Sequence, residues 1–181
     1  MKGEAVIKCG NQTMKMKKYT MMFVFLIAMI VSISCHAQIT EADLNIGGIY
    51  LGQPMADVIK KFGQPVRRVS TPPAGSAPVF RCGNSENVVK GRETVRSAHT
   101  LSGNDCFTTA GIGIGSTYDE VIKTYGKADS DSFITHPNVT QHYISYKIPK
   151  GNNIFWLLSF EMFKEKKVTC INIYEDDGSD Y

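Results

Sequence analysis

Two segments of the chain carry the same helical spacing of apolar residues. In each, apolar side chains stand at positions i, i+3, i+4 and i+7, which places them on one face of a short helix. These residues are Met55, Val58, Ile59 and Phe62 in the first segment, and Tyr118, Val121, Ile122 and Tyr125 in the second. Helices this short are unstable alone, so we expect both to pack on another element.

The two helical segments belong to an internal repeat with an offset of 63 residues. Gly48–Gly63 (GIYLGQPMADVIKKFG) and Gly111–Gly126 (GIGIGSTYDEVIKTYG) are identical at seven positions, three of them glycine. The last glycine of each copy suits the left-handed position that ends a helix. Pro54 suits the first helical position of the first copy. In the second copy Thr117 with Glu120 predicts a capping box, with Ser116 as the rival cap.

The segments that follow each helix alternate apolar and polar residues, which is typical of strands. The predicted strands are Val66–Ser70, Pro78–Cys82, a segment around Val88–Leu101, and Cys106–Thr109 after the first helix, and Val139–Ile148, Asn153–Phe163, Lys167–Tyr174 and a weaker one near Asp131–Thr135 after the second. The pattern therefore predicts an α+β protein of two tandem units, each a short helix packed on an antiparallel β-sheet.

The repeat resembles the motif of the BLIP-like superfamily, which includes secreted β-lactamase-inhibitor proteins and outer-membrane assembly lipoproteins of the BamE (SmpA/OmlA) type. The second copy matches that motif at Gly115-Ser116, Glu120-Val121 and Tyr125-Gly126. The first copy matches it at Gly52, Val58 and Phe62-Gly63-Gln64-Pro65, whereas Ala56-Asp57 departs from the usual Glu. The resemblance implies a binding protein of the bacterial envelope, of the assembly or inhibitor type.

The N-terminal segment has the pattern of an export signal. Lys15, Lys17 and Lys18 precede the apolar run 21–33, which is shorter than the ~20 residues of a membrane helix. We expect residues 1–37 to be a signal peptide, with translation starting at Met14 or Met16 and cleavage after Ala37. A loose lipobox ending at Cys35 keeps lipidation of that cysteine open. The two units would then be residues 38–105 and 106–181.

Three cysteines remain after such cleavage. An oxidising compartment favours a disulfide, and Cys82 and Cys106 flank one variable stretch, so we expect them to pair. Cys170 lies in an apolar strand pattern and is predicted to be a buried free thiol.

Charge excludes one class of function. Five of the 20 basic residues and one of the 17 acidic residues precede Gln38, which leaves 15 basic against 16 acidic residues from there onward. A nearly neutral chain without a basic stripe argues against nucleic-acid binding. His136 and His142 are poorly spaced for a shared metal, and the sequence predicts no metal, no cofactor and no catalytic motif.

The last strands supply the candidate site. Alternation places one set of side chains toward the helices and another on the opposite face of the sheet. The opposite face mixes aromatic and polar groups, as a protein-binding surface does. The alternative is that this face is covered by the other unit or is simply solvated. The candidate residues of the face are Tyr143, Lys147, Phe155, Glu161 and Tyr174. The sequence therefore predicts an exported, non-catalytic module that is periplasmic or secreted and binds another envelope or secreted protein; the alternative is a small exported hydrolase or ligand-binding enzyme.

Overall fold

The computed structural model describes residues 39–71, 75–137, 139–163 and 166–178, with the backbone alone at position 136. The predicted leader, its cleavage site and Cys35 lie outside these residues. The described elements are a 3₁₀ turn at Glu41–Asp43, the helices α1 (Met55–Phe62) and α2 (Tyr118–Tyr125), and the strands β1 (Asn45–Ile46), β2 (Ile49–Tyr50), β3 (Arg67–Ser70), β4 (Ser76–Cys82), β5 (Ser85–Lys90), β6 (Ser97–Ser102), β7 (Ser130–His136), β8 (Val139–Gly151), β9 (Ile154–Met162) and β10 (Val168–Asp176).

Both helices form where the apolar spacing predicts them, 63 positions apart at each end. The capping box of α2 is confirmed, because the Thr117 hydroxyl accepts the Glu120 N–H and the Glu120 carboxylate accepts the Thr117 N–H. Pro54 is the cap of α1 rather than its first residue, since its ψ of 132° is not helical. Both helices end at glycines with φ near +80° and ψ beyond −150°. Only glycine adopts that combination readily.

The predicted α+β fold of two tandem helix-on-sheet units is wrong, because the described part of the chain is mostly β and its main sheet is shared by both halves. Eight antiparallel strands form one sheet in the order β3-β4-β5-β6-β10-β9-β8-β7, and β1 and β2 form a separate two-stranded sheet. Each half of the chain supplies one helix and four consecutive strands, and the last strands of the two halves pair, with His99 opposite Asn172. This β6–β10 seam satisfies the backbone groups that would otherwise be exposed at an inner edge of each half.

Both helices contribute to one hydrophobic core. The core joins Val58 of α1, Val121 of α2 and side chains from both halves of the sheet, such as Phe80 and Phe160. All four are no more than 1% exposed. Since apolar groups from both halves remove one another from water, the halves depend on each other for burial.

In the first half, β3 and β4 form close to the predicted Val66–Ser70 and Pro78–Cys82, but the other two strand predictions are wrong. The segment around Val88–Leu101 is two strands, β5 and β6, separated by a connection at residues 91–96. Cys106–Thr109 is not a strand; Phe107 makes only an isolated bridge to Gly113. β4 and β5 form a hairpin that turns at Gly83. The alternation of apolar and polar residues does not predict this turn.

Candidate functional site

The structure places all five candidate residues on the side of the sheet that faces away from the helices. Tyr143 lies opposite Glu161 of β9. Leu157 of β9 lies between Lys147 of β8 and Tyr174 of β10 and is paired with both. The Lys147 ammonium is 5.8 Å from the centre of the Phe155 ring. We call this side of β6, β8, β9 and β10 the open face.

The open face contains a cavity of about 660 Å³. Serines and an amide form its floor, and two aromatic rings stand beside them. Ser159 at the floor is 7% exposed. The main floor and wall residues are Ser145, Ser159, Asn172, Tyr143 and Tyr174. Several polar groups therefore converge on one concave surface.

Hydrogen bonds hold the polar side chains of the open face in place. The Tyr143 hydroxyl donates to Oε1 of Gln141 at 2.9 Å, and Nδ2 of Asn172 donates to Oε1 of Glu161 at 3.0 Å. Burial, and then the nearby charge of Glu161, raise the pKa of Tyr143. The phenol therefore stays protonated and can donate or accept a hydrogen bond at neutral pH.

An ion-pair cluster closes one end of the cavity. Arg96 donates to Oε1 of Glu175 at 2.7 Å and to Asp177 at 3.0 Å. The second carboxylate oxygen of Glu175 accepts the Trp156 indole N–H at 3.2 Å. These bonds raise the pKa of Arg96 further above its ordinary value, with the Glu175 contact contributing most. The guanidinium is occupied by carboxylates and lends the cavity little free positive charge.

Two ionisable groups of the open face are held uncharged by burial. Burial raises the pKa of Cys170 to about 12, and its thiol lies 3.3 Å from the Thr100 carbonyl oxygen, to which it donates. Burial, and then the charge of Lys90, lower the pKa of His99. At neutral pH the cysteine is a thiol and the imidazole is neutral, so neither is an activated nucleophile or a standing charge.

The predicted disulfide partners lie beside each other as free thiols. Both sulfur atoms lie within 2.8 Å of the point where a Cβ on Gly47 would stand, so a side chain at that position would collide with them. Cys106 is fully buried and accepts a bond from Asn87, whereas Cys82 is partly exposed. Burial and the neighbouring Cys106 raise the pKa of Cys82 to about 11. The Cys82–Cys106 bond is not formed in the structure and stays a prediction.

A cluster of polar and aromatic side chains surrounds His142 on the helix side of β7 and β8. Nε2 of His142 is 2.5 Å from Oδ1 of Asp131, and the Tyr118 hydroxyl donates to the other oxygen at 2.9 Å. The rings of Phe133 and Tyr118 stack on the imidazole at 4.2 and 5.3 Å. Burial alone would raise the pKa of Asp131, but the hydrogen bonds from His142 and Tyr118 outweigh it and lower that pKa. The side chain of His136 is outside the described part of the structure.

Sequence reasoning missed His99, Arg96 and Lys90, although all three line the cavity. They belong to β5, β6 and the connection between them, and they reach the candidate face only because β6 pairs with β10. No local pattern marks that pairing. The described ranges contain no group of three or more His, Cys, Asp or Glu side chains placed to hold a metal ion.

Comparisons with known proteins do not assign a family. No protein-family model matches the chain, and no curated protein matches it. A solved DUF4309 family protein (YjgB) of Bacillus subtilis is 17% identical, with a TM-score of 0.42 over 67% of this chain and 77% of that protein. A cysteine-rich secretory protein of Staphylococcus aureus is 16% identical, with a TM-score of 0.45 over 68% of this chain and 44% of that one. Within the described segments, neither helix has the length and apolar character needed to span a bilayer.

Proposed function

We propose that this chain is an exported, non-catalytic module of the bacterial envelope that binds another envelope or secreted protein through the open face. The observation that carries the proposal is the open face itself, where Tyr143, Phe155 and Tyr174 share one side of the sheet with hydrogen-bonded polar groups. Half-buried aromatics among fixed polar side chains are the composition of protein-binding surfaces.

The aromatic residues are suited to contact a partner at small entropic cost. Tyr143 is hydrogen-bonded to Gln141, and the Lys147 ammonium lies over the ring of Phe155. Both rings are therefore already partly restricted in conformation before a partner binds. Rigid aromatic side chains lose little conformational freedom on association. Each is therefore a candidate for one of the few residues that dominate binding energy.

The alternative, a small exported hydrolase or ligand-binding enzyme, receives less support. An enzyme of this kind would need an activated nucleophile or a general base in the cavity. Cys170 is held as a thiol, and Arg96 is occupied by Glu175 and Asp177. The Glu161 carboxylate and the neutral His99 line the cavity and could each serve as a base, but among the described residues neither is hydrogen-bonded to a serine, threonine or cysteine nucleophile. The binding function needs none of these features.

The experiment is a quantitative capture of envelope proteins by the immobilised chain and by face variants. Tyr143→Ala, Phe155→Ala and Tyr174→Ala should each weaken binding of a captured partner by about 1–3 kcal/mol while leaving the melting temperature nearly unchanged. The matched control is Tyr50→Ala, an aromatic that is 45% exposed and lies on the separate β1–β2 hairpin. Face variants that bind as well as the control would exclude the open face as the contact surface.

Export is tested separately by N-terminal mass spectrometry of the chain recovered from its host. A first residue of Gln38 supports cleavage by ordinary signal peptidase. A diacylglyceryl group on Cys35 would instead make the protein a membrane-anchored lipoprotein.

A further inference from the structure

The two outer edges of the eight-stranded sheet are built differently. β3 ends one side of the sheet with four residues, and two of them are Arg67 and Arg68. β7 ends the other side with seven residues (SDSFITH) and carries no lysine, arginine or proline. Short strands and basic side chains are the means by which proteins keep an edge from pairing with another chain. β3 has both protections, and β7 has neither.

The exposed apolar side chains of β7 lie on both sides of the sheet. Phe133 is opposite His142 and lies on the helix side, whereas Ile134 is opposite Gln141 and lies on the open-face side. Phe133 is 65% exposed and Ile134 is 47% exposed. A partner that docked on one face would cover only one of them. An added strand covers both, because its side chains alternate between the two sides.

We propose that β7 pairs antiparallel with β7 of a second copy of this chain, forming a twofold dimer with a continuous sixteen-stranded sheet. Full overlap of Ser130–His136 places the middle residue, Phe133, on the twofold axis. In that register Phe133 lies opposite the partner's Phe133, and Asp131 lies opposite the partner's Thr135. The only carboxylate in the strand therefore faces a hydroxyl and not its own copy.

The register is compatible with the symmetry of a closed dimer. A twofold axis perpendicular to the sheet keeps the helices of both copies on one side of it. Two residues that lie opposite each other must then point to the same side, so their residue numbers are both odd or both even. Phe133 with the partner's Phe133, and Ser132 with the partner's Ile134, satisfy that condition. The remaining outer edges of the dimer are both β3, which its arginines protect, so the assembly ends at two copies. The open faces of the copies lie side by side, and the proposal does not depend on what they bind.

The test is sedimentation velocity of the processed chain over a concentration series. The wild-type chain should move from monomer to dimer. Phe133→Glu and Phe133→Lys should each raise the dimer dissociation constant at least about tenfold, because like charges then face each other across the axis. An equimolar mixture of the two variants should recover the dimer. Ile134→Lys should also dissociate it. The matched control is Leu101→Glu, on an inner strand and 41% exposed, which should leave the dimer intact.

Four results would overturn the proposal. A wild-type chain that stays monomeric up to its solubility limit excludes the dimer. A dimer that survives Phe133→Glu places the interface elsewhere, and so does one that Leu101→Glu dissociates. Two charge variants that fail to associate when mixed exclude Phe133 from the axis. Circular dichroism of each variant establishes that it is folded, and Ile134→Lys supplies an independent variant if a change at Phe133 unfolds the chain.

Discussion

The two halves of the chain share one plan, a glycine-bounded helix followed by four strands, yet they differ in their helix caps and polar clusters. α2 begins with a reciprocal cap between Thr117 and Glu120, whereas α1 begins at Pro54 with no side-chain cap. The first half contains the adjacent thiols Cys82 and Cys106. The second half contains the Asp131–His142 pair, at positions that do not correspond to these cysteines in the repeat.

The comparison separates what the repeat constrains from what it leaves free. The positive-φ glycines and the apolar stripe are kept in both copies, because the helix must stop and pack in the same way. The caps, outer edges and buried polar clusters are not needed for that packing. They are where each half carries its own chemistry.

The largest expected effect concerns whether the halves are independent at all. Phe80→Ala in the first half and Phe160→Ala in the second each remove a ring from the shared core and should cost about 3–5 kcal/mol. Both variants should still unfold in a single transition, followed by circular dichroism and by Trp156 fluorescence in urea. Two transitions, with Phe80→Ala shifting only one of them, would mean that the halves unfold separately.

Oxidation of the thiol pair should stabilise the folded chain. Oxidised glutathione can accept the two electrons and two protons released when Cys82 and Cys106 join. The crosslink should add about 3–4 kcal/mol in the chain-entropy model, or less if the bond is strained. Urea unfolding of the oxidised and reduced chains measures the difference, with a Cys82→Ser variant as the control. Peptide mapping that places Cys170 in the bridge would contradict the prediction.

The helix cap should matter only in the second half. Thr117→Ala removes the hydroxyl that accepts the Glu120 N–H, and it should destabilise the chain by about 1 kcal/mol. Asp57 occupies the repeat position that corresponds to Glu120, and α1 has no side-chain cap bond, so Asp57→Ala should change stability by less than about 0.5 kcal/mol. Equal losses in thermal unfolding would show that the two helix starts are equivalent.

The smallest expected effect is a pH dependence of the free energy of unfolding that arises from Asp131 in the second half. The pKa of Asp131 is lowered in the folded chain, so its carboxylate contributes stability that is present above the ordinary aspartate pKa. That contribution is lost as the pH falls through the folded-state pKa. Asp131→Asn should therefore flatten the decline in stability below about pH 4. Unfolding titrations at several acidic pH values measure the slope, and an unchanged slope would contradict the assignment.

Local patterns predicted the local elements. The structure has a helix at the apolar stripe from Tyr118 to Tyr125 and a strand at the alternation around Ile144. Both patterns depend only on residues that are close in the sequence. Alternation also sufficed to group Tyr143 with Glu161 on one side. It did not predict that β6 lies beside β10, because His99 and Asn172 are distant in the chain and nothing in either segment specifies the other. The error in fold class and the missed His99 have that single cause.

The β6–β10 seam also bears on the order and speed of folding. Its flanking residues Arg96 and Glu175 are 79 positions apart. Pairings of high sequence separation close slowly, because the loop entropy is lost before the contacts form. During synthesis the four strands of the first half emerge with one edge of β6 unpaired, and β10, which pairs with that edge, follows only at the end of the second half. We expect the late pairing of β6 with β10 to limit the rate of refolding. We also expect that an agent that shields an unpaired strand edge will raise the yield of native chain.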